Sequence, residues 1–161
     1  MRELSTSELE TLEKRRQEFR AFVREMGPVL EDFADRLGLQ DPYRIVSDPE
    51  RFLDSIEAFM RNQVVGDEDR TWIAARLSYF IGQVLIQRLG GEWLVNENPA
   101  SRFFLHYVIG RIPGVRNQNA TVDPLAVAAA FLAEPPGRNL SRIISEAQKE
   151  IQTYWDDLGS S

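Results

Sequence analysis

The segment from Glu68 to Leu89 constrains the fold most, because its apolar residues cover more than one face of a helix. A helix on a protein surface shows a single apolar stripe, so this one has to be surrounded by other elements. Acids at positions 67–69 favour a helix start, and Gly90-Gly91 ends the segment. The sequence therefore predicts a central helix, with an apolar set of Trp72, Ile73, Leu77, Phe80, Ile81, Val84, Leu85 and Leu89.

Three shorter helices are predicted before the central one, over residues 1–66. Two alternative capping boxes start the first, Ser5 with Glu8 or Ser7 with Glu10. Gly27-Pro28 is expected to break it, because proline has no N–H and clashes with the preceding turn. The second helix then ends at position 38, an extended piece covers 43–46, and a third helix runs from the start signal at 47–50 to position 66.

After the central helix the sequence pattern changes from helical to extended. Residues 92–95 and 102–109 are predicted to form two strands, joined by a turn at 96–101. A turn centred near Pro99 would place Glu92 opposite His106. A polar loop with strand remnants follows, then a fifth helix opened by Asp123-Pro124 and a sixth capped by Asn139.

The predicted fold class is α+β: a predominantly helical single domain, 1–161, with about six helices and one small antiparallel β-hairpin or sheet. Residues 1–66 hold the N-terminal helices. Residues 67–158 hold the long central helix, the hairpin and the two C-terminal helices. A chain of 161 residues is the size of one ordinary domain.

Composition narrows the function. The chain has no cysteine and one histidine, so thiol chemistry and His-rich metal sites are excluded, and we predict no metal and no cofactor. A net charge of −6 argues against general nucleic-acid binding. No stretch approaches the roughly 20 apolar residues of a membrane span, and no signal peptide is visible, so we expect a cytoplasmic protein.

His106 is the one side chain whose ordinary titration lies near neutrality. A carboxylate from Glu92 across the hairpin would orient it as a general base. The same pair is also an ordinary cross-strand ion pair. Because the local sequence offers no nucleophile beside His106, we predict no catalytic residues.

Both faces of the predicted hairpin are largely apolar, which is unusual for a hairpin on a surface. One face carries Trp93 and its neighbours. Either helices cover the other face too, or that face meets a protein partner or a second copy of the chain. The candidate binding residues on the second face are Leu94, Phe104, Val108, Arg102 and His106.

The segment Gly82-Gln-Val-Leu-Ile-Gln-Arg-Leu-Gly-Gly-Glu-Trp93 resembles a loose group of small, uncharacterised bacterial domains. In these an apolar helix with an internal glycine ends at Gly-Gly and enters a strand led by tryptophan. The resemblance covers residues 72–155. It implies a stand-alone bacterial cytosolic protein and supplies no catalytic set.

The preferred hypothesis is a non-enzymatic protein-interaction module, such as an immunity-type inhibitor or adaptor. The alternative is a small-molecule binding module with its pocket between the hairpin and the central helix. A hydrolase-like enzyme that uses His106 and Glu92 comes third.

Overall fold

The computed structural model describes residues 3–115 and 120–159, with side chains up to residue 151. Over these residues it is a predominantly helical α+β fold with five α-helices and a two-stranded antiparallel sheet, as predicted. The elements are α1 (Thr6–Arg36), a 3-10 helix (Pro42–Arg44), α2 (Glu50–Met60), α3 (Asp67–Leu89), β1 (Glu92–Val95), β2 (Tyr107–Gly110), α4 (Pro124–Ala133) and α5 (Leu140–Gly159).

The first helix does not break at Gly27-Pro28, so the prediction of two helices there was wrong. The Ser5–Glu8 capping box starts α1, and the helix runs for 31 residues to Arg36. A residue before proline normally leaves the helical region because its Cβ clashes with the proline ring. Gly27 has no Cβ, and Pro28 is exposed, so the carbonyl that loses its donor faces solvent.

The extended piece predicted for residues 43–46 was also wrong. The chain forms the 3-10 helix there instead, after Asp41 adopts a left-handed conformation with φ 51°. Ile45, directly after the 3-10 helix, is completely buried. A single apolar anchor therefore fixes this connection, and no strand partner is needed.

The prediction that α3 is the central helix is confirmed. Leu77, Phe80, Ile81, Val84 and Leu85 are all fully buried. The helix packs against α1, α4, α5 and β2, so its apolar residues are covered from several sides. The core is one cluster that extends from Met26 to Ile151.

The hairpin forms, but its predicted register was wrong by four residues. Glu92 pairs with Gly110 and Leu94 with Val108, so the return strand begins at Tyr107. The chain between the strands is an ordered loop that is held by the buried Asn96. The backbone N–H of Asn96 donates to the carbonyl of His106, and the side-chain amide of Asn96 donates to Ser101 Oγ at 3.0 Å.

Both C-terminal helices have the caps that were predicted. Asp123 Oδ1 accepts from the backbone N–H groups of Leu125 and Ala126, at 2.9 and 3.2 Å. Asn139 accepts from the N–H of Arg142 at 2.8 Å. These local contacts fix where α4 and α5 begin, and the first of them also places a carboxylate beside the end of the loop.

Among the described residues, no helix combines the length and the apolar character that crossing a membrane requires.

Candidate functional site

The first candidate site is a cavity of about 240 Å³ between α1, α3 and the start of β2, called here the His106 cavity. It lies close to the position predicted for a pocket between the hairpin and the central helix. The space directly over Gly82 is taken, because a Cβ there would lie within 2.9 Å of three carbons of the Trp93 indole. The cavity opens one turn earlier, at Ser78.

His106 is oriented by Asp123 and not by Glu92. Its Nδ1 lies 2.5 Å from Asp123 Oδ2, and the Asp123 side chain is 1% exposed while His106 is 48% exposed. A carboxylate only accepts hydrogen bonds, so Nδ1 carries a hydrogen, and in the neutral form of the ring Nε2 is then an acceptor. Glu92 instead pairs with Arg111 at 2.6 Å, so the predicted contact between Glu92 and His106 was wrong.

Ser78 brings a hydroxyl to the same cavity from the middle of α3. It is 7% exposed, and its hydroxyl makes no hydrogen bond to another side chain among the described residues. It therefore makes no contact with His106 of the kind that activates a nucleophile. The arrangement supplies an oriented acceptor and a buried hydroxyl beside apolar walls, which suits binding a small polar group.

The predicted binding residues do not form one flat patch. Leu94 is half-buried and packs over Gly110, and Val108 on the same face is fully buried. Phe104 is half-buried in the loop that precedes β2, because the strand starts later than predicted. Of the five, His106 alone lines the His106 cavity.

Arg102 belongs to the loop surface. Its guanidinium lies 4.6 Å from the Phe103 ring centroid and 4.0 Å from the carboxylate of Glu150. Both charged side chains are exposed, so this ion pair contributes little to stability.

A wider depression of about 690 Å³ lies over the Leu94 face, between α1, β1 and Thr121. Its rim carries two ion pairs, Arg16 with Glu97 and Arg111 with Glu92. The charged groups of the rim therefore neutralise one another. The depression therefore has volume but presents few free groups for recognition.

The second candidate site is an apolar groove of about 320 Å³ where the end of α1, the end of α2 and the start of α3 meet. We call it the Trp72 groove. Three large apolar side chains on its wall are exposed: Val64 at 87%, Phe59 at 43% and Trp72 at 40%. Its floor is apolar and includes Phe33 and Ile73.

The Trp72 indole is held in place by its neighbours. The Arg76 guanidinium lies 3.7 Å from the ring centroid and donates to the Trp72 carbonyl at 3.0 Å. Phe33 meets the ring edge-on at 6.2 Å, and Arg36 lies 5.9 Å from its centroid. Arg76 Nε is buried with no hydrogen-bond partner in the described part of the chain, and burial lowers the pKa of this guanidinium.

Sequence reasoning missed the Trp72 groove because Trp72, Phe59 and Val64 all fit the apolar stripes of their helices. Two signals were available. Val64 lies next to a second valine just before Gly66, where a loop between helices is usually polar. Arg76 follows Trp72 at the four-residue spacing that brings side chains together on a helix. The partnership of His106 with Asp123 had no such signal, since 17 residues separate them.

No protein-family model, no curated protein and no solved structure matches this chain. The resemblance to small bacterial domains over residues 72–155 therefore stays a prediction.

Proposed function

We propose that this protein is a non-enzymatic interaction module, of the immunity-inhibitor or adaptor kind, that binds a protein partner through the Trp72 groove. The observation that carries the proposal is an exposed tryptophan, fixed by Arg76, on the wall of an apolar groove. The cytoplasmic location expected from the sequence belongs to the same proposal.

Tryptophan and arginine are enriched among the residues that dominate binding energy at protein interfaces. Their contribution is largest where little freedom is lost on binding. Trp72 meets that condition because Arg76 and Phe33 already hold the indole in the free protein. Val64, almost fully exposed beside it, adds apolar area that a partner would remove from water.

The charges around the groove indicate the chemistry of the partner. Two guanidinium groups flank the indole: that of Arg36, which pairs with the exposed Asp32 at 2.7 Å, and that of Arg76. A carboxylate beside the indole would be attracted by both guanidinium groups. The partner segment is therefore a helix or turn with one large apolar side chain that fills the groove and a flanking Asp or Glu.

Selection of helical peptides from a displayed library on the purified protein tests this proposal. We expect enriched peptides with a large apolar residue next to an acidic one. Val64→Glu should abolish their binding, since it adds negative charge to the groove wall, and Arg76→Met should weaken it about tenfold or more, by 1.5–3 kcal/mol for a charged hydrogen bond. Leu9→Glu, at an exposed leucine of α1 outside the groove, should leave binding unchanged.

Peptides that bind Val64→Glu as well as they bind the original chain would refute the proposal. Sedimentation provides a second outcome. If the free protein forms a dimer that Val64→Glu dissociates, the occupant is a second copy, and the acidic partner segment is wrong.

A further inference from the structure

We propose that the His106 cavity binds a small neutral molecule that carries a hydroxyl group on an apolar ring, with phenol as its simplest representative. The ligand hydroxyl donates to His106 Nε2 and accepts from the Ser78 hydroxyl. This site is separate from the Trp72 groove and does not depend on the function proposed for it.

The first step concerns the acceptor. Asp123 fixes the imidazole by accepting a hydrogen bond from Nδ1, so that in the neutral form of the ring Nε2 carries the lone pair and has no described partner. Both oxygens of the Asp123 carboxylate are engaged, because Oδ1 accepts two N–H groups at the start of α4. His106 is therefore a rigid hydrogen-bond acceptor on the wall of the cavity.

The second step concerns Ser78. A serine hydroxyl on a cavity wall bonds water or a ligand when the protein offers it no partner. Ser78 is more than nine-tenths buried, faces the His106 cavity, and makes no hydrogen bond to another side chain among the described residues. A hydroxyl-bearing ligand satisfies Ser78 and His106 with a single group, since a hydroxyl both donates and accepts.

The third step concerns the apolar walls. Phe22 and Tyr107 lie with ring centroids 4.4 Å apart, and Leu105 and Leu125 complete the lining. The Tyr107 hydroxyl donates a hydrogen bond to the Arg15 carbonyl at 3.0 Å. Tyr107 therefore contributes its apolar ring to the cavity wall, and its hydroxyl is not available to a ligand. A volume of about 240 Å³ lies below the 300–1,000 Å³ of common ligand pockets, which selects a single-ring molecule over a nucleotide or peptide.

Charge decides between a neutral ligand and an anion. The Asp123 carboxylate lies directly behind the imidazole, so an anion at Nε2 would meet a buried negative charge. Arg15, a cation that lines the cavity, already pairs with the Glu18 carboxylate at 3.7 Å, so it does not compensate an anionic ligand fully. A cation gains little either, because both oxygens of Asp123 are engaged. A neutral donor fits both groups without a charge penalty.

The single histidine makes the test direct, since its ring-proton NMR signals belong to His106 without ambiguity. Phenol should shift these signals saturably, with a dissociation constant of about 0.1–10 mM, as expected for seven heavy atoms at moderate efficiency. Anisole, which has no donor, and benzoate, which is an anion, should each bind about 2–12-fold more weakly, the equivalent of one lost hydrogen bond.

Variants separate binding in this cavity from binding elsewhere. Ser78→Ala should weaken phenol binding about 2–12-fold, which corresponds to the usual 0.5–1.5 kcal/mol of a hydrogen bond. His106→Gln, followed by calorimetry, should weaken it further. Arg102→Gln, on the neighbouring loop surface, and Val64→Glu, in the Trp72 groove, should leave it unchanged. Anisole or benzoate binding as tightly as phenol, or His106 signals that do not move, would overturn the proposal.

Discussion

Replacing Gly82 by alanine should destabilise the protein, although the same change inside a helix normally stabilises it. Alanine is favoured over glycine in helix interiors by about 1 kcal/mol. At position 82, however, the new Cβ would lie within 2.9 Å of three indole carbons of Trp93. Trp93 is 9% exposed, and Phe22 and Tyr79 pack against its ring, so the indole can move away only by disturbing these contacts.

The magnitude follows from what holds Trp93. Its Nε1 donates to Gln83 at 3.0 Å, and Phe22 meets its ring at 5.1 Å. Overpacking of this kind costs about 1–3 kcal/mol. Loss of the Gln83 hydrogen bond adds about 1 kcal/mol. After the helix gain of about 1 kcal/mol, we expect a net loss of about 1–3 kcal/mol, or roughly 2–12 °C in Tm for a chain of this length.

Urea unfolding followed by circular dichroism measures this loss. Ala75→Gly, at an exposed position of the same helix, is the matched control and should cost about 1 kcal/mol from helix propensity alone. Adding Trp93→Leu should remove most of the penalty of Gly82→Ala, because the two side chains then no longer collide. An increase in stability for Gly82→Ala would show that the indole does not lie against the helix.

Two further predictions concern buried polar groups. Burial raises the pKa of Tyr79 to about 12, so between pH 10 and 12 mainly the unfolded chain loses this proton, and the free energy of unfolding should fall by up to about 2–3 kcal/mol over that range. Tyr79→Phe should remove this part of the fall and leave the part due to Tyr107, whose pKa burial also raises; an equal fall in both proteins would contradict the assignment. Arg138, 5% exposed, caps the end of α2 by donating to the carbonyls of Met60 and Gln63. Arg138→Met should therefore lower the free energy of unfolding in urea by about 2–3 kcal/mol, whereas Arg142→Met, at an exposed position, should lower it by under about 1 kcal/mol. Equal losses would refute the capping role.

The parts of the fold that the sequence predicted correctly are those that depend on neighbouring residues. Asp123 and Asn139 cap their helices through atoms two or three residues away. The central position of α3 follows from its own apolar pattern. The predicted break at Gly27-Pro28 was wrong for a reason that is also local. Gly27 by itself favours a break, but a glycine before proline relieves the clash that the proline ring would otherwise cause.

The register of the hairpin and the candidate sites depend on contacts that the sequence does not show. Asn96 closes the loop through bonds to residues five to ten positions ahead, which delays the return strand to Tyr107. His106 then meets Asp123 only because the loop and the start of α4 are brought together by the fold. Trp72 had a pattern that indicated burial, and its exposure depends on where α1 and α2 end.

The continuity of α1 through Pro28 has a consequence for insertions and deletions. Phe22 lines the His106 cavity, and Phe33, Arg36 and Leu37 line the Trp72 groove. The single helix α1 therefore contributes wall residues to both sites. One extra residue between them would turn the second set by about 100° and move it by about 1.5 Å relative to the first. Even at exposed positions, a length change within this interval would dismantle one wall. Length changes outside α1 would leave both sets of α1 residues in phase, so lineages of this chain should remain constant in length within α1.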